Sequence, residues 1–134
     1  MIEATSALVD TNVIIDIVQE NPAWVAWSVA VLSRHEGLWI NPIVYAELCY
    51  RETSVEEVDR LLDGLGLGYR EMPRDALYLA SQAFRHYRSR GGRKTAPLPD
   101  FFVGAHAAAL GVPIITRDGA RYQSYFPTVP LILP

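Results

Sequence analysis

The apolar runs of this chain are short, and two of them stop at a carboxylate. Ala7-Leu8-Val9 ends on Asp10, and Pro113-Ile114-Ile115-Thr116-Arg117 ends on Asp118. Stretches with helical spacing of apolar residues separate runs of this kind. Short buried strands alternating with helices fold as an α/β protein, with a mostly parallel central sheet covered on both faces. A carboxylate that closes a buried strand is costly unless it has partners. In an open α/β sheet, the crevice outside the carboxyl ends of the strands is where ligands bind.

Local signals place the other elements. After the strand Ser6–Asp10, Thr11-Asn12 reads as a turn and Val13 to Gln19 as a helix carrying Ile14, Ile15, Ile17 and Val18. Asn21-Pro22 is a cap followed by proline at the first helical position, which predicts a second helix to about His35, ended by Gly37. Leu38-Trp39-Ile40 is a brief strand, and Asn41-Pro42 opens a helix carrying Tyr45, Glu47 and Leu48. Ser54-Val55-Glu56-Glu57 is a capping box for a helix with Val58, Leu61 and Leu62 on one face, stopped by Gly64. Leu67 to Met72 reads as a strand, and Ala76 to about Arg90 as a long helix. The Gly- and Pro-rich stretch from Gly91 to Pro99 breaks regular structure. Asp100 to Leu110 is a helix whose Gly104, Ala107 and Ala108 permit close packing. Val112 to Thr116 is a strand, and Thr128 to Leu133 an edge strand.

With 134 residues, half of them hydrophobic, the chain is expected to fold as a single domain over residues 1–134. No run approaches the roughly 20 apolar residues that span a bilayer, so no membrane association is expected. Met1-Ile2-Glu3-Ala4 lacks the basic start of a signal peptide, and the single cysteine, Cys49, suits a reducing compartment; both point to the cytoplasm. Cys49 reads as a small buried hydrophobe. The net charge of −3 argues against a nucleic-acid surface dominated by basic residues. Yet Arg85, Arg88, Arg90, Arg93 and Lys94 are five of the twelve basic residues. They form either a solvated helix end or a local phosphate-attracting patch.

Two further acids join Asp10 and Asp118: Glu47 within its helix, and Asp100 at a helix N-terminus, where the dipole favours a carboxylate. Gathered together, such groups repel one another unless a cation is present, and hard oxygen ligands suit Mg²⁺ or Mn²⁺. Each has a plainer role open to it: Asp100 as a helix cap, Asp118 before Gly119 as a turn residue, Glu47 as a solvated position. Asp10, following three apolar residues, has the least room for one. Asp16, Asp63 and Asp75 fit solvated or capping roles. The histidines His35, His86 and His106 share no spacing with the acids, so zinc is not expected. Tyr78, Tyr87, Tyr122 and Tyr125 have the chemistry to stack bases, although Tyr78 falls on a helix face better suited to core packing.

Four segments together resemble the motifs of PIN-domain proteins, and among them VapC-type toxins of bacterial toxin–antitoxin pairs. They are Leu8-Val9-Asp10-Thr11-Asn12-Val13-Ile14-Ile15-Asp16, Tyr45-Ala46-Glu47-Leu48, Pro99-Asp100-Phe101-Phe102-Val103-Gly104-Ala105-His106-Ala107 and Ile115-Thr116-Arg117-Asp118. Arg121-Tyr122 and Tyr125-Phe126-Pro127 resemble the tail that follows the fourth motif. The resemblance implies a PIN-like three-layer α/β/α sandwich and a Mg²⁺- or Mn²⁺-dependent endoribonuclease, held inactive by a cognate antitoxin protein. It further implies metal ligands at Asp10, Asp100 and Asp118, with Glu47 acting through water as the fourth catalytic acid. Asn12 and Thr116 would support the first Asp, and a homodimer would form a groove for RNA. Arg93 and Lys94 would line that groove's rim, while Arg117 would contact phosphate or form a structural ion pair. Two other readings compete: a catalytically silent PIN-like module that binds RNA or protein, and a phosphatase of the haloacid dehalogenase type. The phosphatase needs Asp-x-Asp after its first strand, and Asn12 occupies the third position here.

Overall fold

The computed structural model describes residues 6–92 and 98–134. In chain order the elements are β1 (Ala7–Val9), α1 (Thr11–Val18), α2 (Val25–Ser33), β2 (Leu38–Ile40), α3 (Pro42–Cys49), α4 (Val55–Leu65), β3 (Gly68–Tyr69), α5 (Arg74–Ser89), α6 (Leu98–Leu110), β4 (Ile114–Ile115), α7 (Ala120–Gln123) and β5 (Leu131–Ile132). The strands form one sheet in the order β3-β2-β1-β4-β5, and every pairing is parallel. This is the α/β arrangement the alternating pattern predicts, with helices covering the sheet. Arg93 and Lys94 lie outside the described residues.

The order reverses direction at β1. The chain winds outward through β2 and β3 on one side of β1, then returns to lay β4 and β5 on the other. The carboxyl ends of β1 and β4 therefore flank the point where strand order switches, the position at which such sheets open a crevice. Val9 pairs with Ile115, and the Asp10 amide donates to the Ile115 carbonyl at 2.9 Å. Asp10 and Thr116 thus leave the sheet side by side.

All three residues of β1 and all three of β2 are buried, as expected for strands covered on both faces. They join Val13, Ile14, Val44, Leu48, Ile114 and Ile115 in one core. The outer strands are shorter than their sequence patterns suggest. β3 covers only Gly68–Tyr69 of the expected Leu67–Met72, because it pairs on one side alone and both residues face solvent. β5 covers Leu131–Ile132 of the expected Thr128–Leu133. Pro127, Pro130 and Pro134 have no N–H for a ladder, which confines the pairing.

Several helix ends also move. Thr11-Asn12 is not a turn but the first turn of α1, with Asp10 as its N-cap. Regular helix begins at Val25 rather than Pro22, since the Asn21 carboxamide accepts from the Ala23 amide and closes a turn first. α4 runs through Gly64 and ends at Gly66, whose left-handed φ of 71° lets its N–H reach the carbonyls of Leu62 and Asp63. Two predicted caps stand as read. Ser54 accepts from the Glu57 amide at 3.2 Å, and Asn41 accepts from Ile43 and Val44 at 3.1 and 3.0 Å. Cys49 is exposed, since α3 turns Val44 and Leu48 inward. Tyr78 is 68% exposed, because α5 buries Ala76 and Ala80 on another face. Gly104 does serve close packing: a Cβ there would fall inside the Phe126 ring.

Candidate active site

Asp10 is only 2% exposed, yet both oxygens of its carboxylate accept hydrogen bonds. Oδ1 accepts from the Thr11 amide at 2.7 Å. Oδ2 accepts from the Thr116 hydroxyl at 2.9 Å, the Tyr122 hydroxyl at 2.8 Å and the Asn12 carboxamide at 3.4 Å. Hydrogen bonds of this kind stabilise the charged form and stand in for lost water. Burial, then the charge of Asp10, hold the Tyr122 hydroxyl far above its ordinary range, so it remains a donor. Thr116 is a hub. While donating to Asp10, its oxygen accepts from Asn12 Nδ2 and the Asp118 amide, both at 3.1 Å. The Arg117 amide closes the network onto Asn12 Oδ1 at 3.3 Å. One cluster thus links the end of β1, the first turn of α1 and the loop after β4.

Asp100 enters the same space from the first turn of α6. Burial pushes its carboxyl up to about 6. Arg121 works against that rise, and the charges of Asp10, Glu47 and Asp118 add to it. The side chain of Arg121 spans two acids: Nε donates to Asp118 Oδ2 at 2.9 Å, and Nη1 stands 3.6 Å from Asp100 Oδ1. Glu47, on α3, is exposed, and its Oε1 accepts from the Thr11 hydroxyl at 2.7 Å. All four predicted acids therefore border one region. Among the described residues, however, no three His, Cys, Asp or Glu side chains form a ready-made cation cage. The region opens into a groove of about 670 Å³ lined by Thr11, Asn12, Glu47, Tyr50, Arg51, Arg117 and Arg121 over an apolar floor of Ile15, Ile43 and Ala46.

Residues 7–124 match the PIN domain family. The chain belongs to that family. The fold agrees with solved structures containing VapBC proteins. A chain of VapBC2 from Rickettsia felis, bound to a promoter DNA fragment, superposes with a TM-score of 0.70 at 16% identity, covering 96% of this chain and 98% of that one. A chain of VapBC-1 from nontypeable Haemophilus influenzae gives 0.70 at 19% identity over 96% and 98%. VapBC-5 from Mycobacterium tuberculosis, a member of the VapBC family of toxin–antitoxin systems, gives 0.59 at 18% over 97% and 99%. No curated protein matches the chain.

In this PIN domain Arg117 takes one of its two expected roles, and the readings of Asp16 and Tyr122 change. Arg117 faces the groove but is tied to Asp16: its Nε donates to Oδ2, and Nη2 lies 3.4 Å from Oδ1. The guanidinium also lies 5.6 Å from the Trp24 ring centroid. The structural ion pair is therefore the arrangement present, in place of a free phosphate ligand. Asp16 is correspondingly not a solvated residue; it is 2% exposed and also accepts from Asn21 Nδ2 at 3.2 Å. Tyr122 is wholly buried, so it does not stack bases. Its position four residues after Asp118, behind Gly119, was the available sign of a short helix turning it back toward Asp10.

Proposed function

We propose that this PIN domain is a Mg²⁺- or Mn²⁺-dependent endoribonuclease and the toxin of a toxin–antitoxin pair. The observation that carries the reading is the state of Asp10. It is a buried carboxylate at the switch point of the sheet, its charge held by Thr116 and Tyr122, beside two acids already bridged by a cation. Buried networks of this kind are expensive to build unless the charge is used.

The donor set fits a hard divalent ion. All the candidate donors are carboxylate oxygens, Asp10 Oδ1 accepts one hydrogen bond among the described residues, and the Arg121 guanidinium places positive charge between Asp100 and Asp118. Mg²⁺ binds through one or two carboxylates and keeps several waters, so a loose arrangement suits it. Asp10, Asp100 and Asp118 would hold the ion, which would supply an activated water and offset charge on the phosphoryl group. Asn12 and Thr116 keep Asp10 aimed into the groove. Glu47 anchors one oxygen on Thr11 and offers the other to orient the attacking water. In-line displacement would leave a 5′-phosphate and a 3′-hydroxyl.

The VapBC names of the superposed structures support a protein antitoxin as partner, while a cytoplasmic location rests on the composition and a homodimer on the family resemblance alone. A catalytically silent binding module is the second reading, favoured by the lack of a ready-made cage among the described residues. One experiment separates them. Purified protein is incubated with RNA and Mg²⁺, Mn²⁺ or a chelator, and the 5′ ends are mapped. Metal-dependent cleavage, lowered at least about a hundredfold in a folded Asp10→Asn variant, is the expected result. Absence of cleavage with every metal and RNA tried, despite RNA binding, would favour the silent module.

A further inference from the structure

Of the three arginines that line the groove, Arg117 and Arg121 are held by acids in different ways. Arg117 is locked against Asp16, whose side chain is 3% exposed, so separating them would leave a buried charge alone. Arg121 is held by Asp118 and Asp100 with its own side chain 40% exposed and that of Asp118 41% exposed. The Asp118 pair is open to water and contributes little, and the Asp100 contact, on a side chain only 12% exposed, is long at 3.6 Å, so this guanidinium is more readily displaced than that of Arg117. It also occupies the space between two of the acids assigned above to the metal. A guanidinium and a divalent cation repel each other and cannot share the same oxygens.

We propose that Arg121 is an exchangeable internal cation. It neutralises Asp100 and Asp118 in the metal-free protein, leaves them when a divalent ion binds, and turns into the groove to bind a phosphodiester of the substrate. Its planar fork of donors matches phosphate oxygens. From α7 the side chain already lines the groove beside Thr11, Asn12 and Glu47, so it borders the space a substrate would enter before any exchange. The proposal rests on the metal-site reading, and it explains why no cage is preassembled.

Calorimetric titration of Mn²⁺ into the RNA-free protein tests the exchange. Arg121→Gln should bind Mn²⁺ roughly three- to tenfold more tightly than wild type, since the exposed pair with Asp118 and the longer contact with Asp100 no longer compete. In wild type, the Nε–Hε resonance of Arg121 should be protected from solvent exchange without metal and lose that protection as Mg²⁺ saturates. At saturating Mg²⁺, Arg121→Gln should raise the KM for RNA several-fold. Equal Mn²⁺ affinities, or a resonance that Mg²⁺ leaves unmoved, overturn the exchange while leaving the metal site intact. An unchanged KM overturns the phosphate contact. If wild type and Arg121→Gln both bind no Mn²⁺, the metal-site reading fails and this proposal with it.

Discussion

Tyr122 donates its hydroxyl hydrogen to Asp10 Oδ2 at 2.8 Å across 112 residues of sequence, and both side chains are buried. The bond ties the short helix α7 to the end of β1. It also commits Oδ2 to the protein, while Oδ1 accepts from the Thr11 amide. Removing the hydroxyl should therefore affect stability and the site together.

Tyr122→Phe keeps the ring and deletes the donor. A hydrogen bond to a charged group contributes about 1.5–3 kcal/mol, so urea unfolding should show a loss of that size. A variant as stable as wild type would mean that Thr116 and Thr11 alone satisfy Asp10.

Asp100 makes the metal-free protein pH-sensitive. Its folded pKa, about 6, lies above the usual carboxylate value, so between about 4 and 6 the folded state binds more protons than the unfolded one. This group's contribution is then most favourable below pH 4 and declines as pH rises through 6. In chelator, wild type should lose stability relative to Asp100→Asn across that window. Parallel stability profiles for the two proteins would show that Asp100 titrates normally.

Arg117→Ala should separate structure from substrate binding. Asp16 would be left buried without its cation, which typically costs about 3–5 kcal/mol, somewhat less here because Arg117 is one-third exposed. The melting temperature should fall clearly, while RNA affinity measured below that temperature changes little. A large loss of affinity with unchanged stability would restore Arg117 as a phosphate ligand.

Gly104→Ala tests the packing of α6 against the segment after α7. The new methyl would enter the Phe126 ring, and overpacking of this kind costs about 1–3 kcal/mol. Pairing the change with Phe126→Leu should recover part of the loss, measured by chemical denaturation.

The features legible in the linear chain are those with local causes. Asn41 and Ser54 cap their helices through amides two or three residues away, and the apolar runs of β1 and β2 are each three consecutive residues. The identity of the four acids was legible too, because each interrupts or adjoins an apolar pattern. Helix and strand ends were less so. The lengths of β3 and β5 depend on what pairs with them across the sheet, and α4 passes through Gly64 because the left-handed turn its end requires falls on Gly66. The charge partners were the least legible. Asp16 finds Arg117 at a separation of 101 residues and Asp10 finds Thr116 at 106, so no local pattern distinguishes a buried, paired acid from a solvated one. By itself the sequence singled out the four acids to which the proposed chemistry is assigned. The tertiary structure decided which were locked, which were bridged and which faced the groove, because a buried charge takes its state from neighbours that only the parallel pairing of β1 with β4 brings within reach.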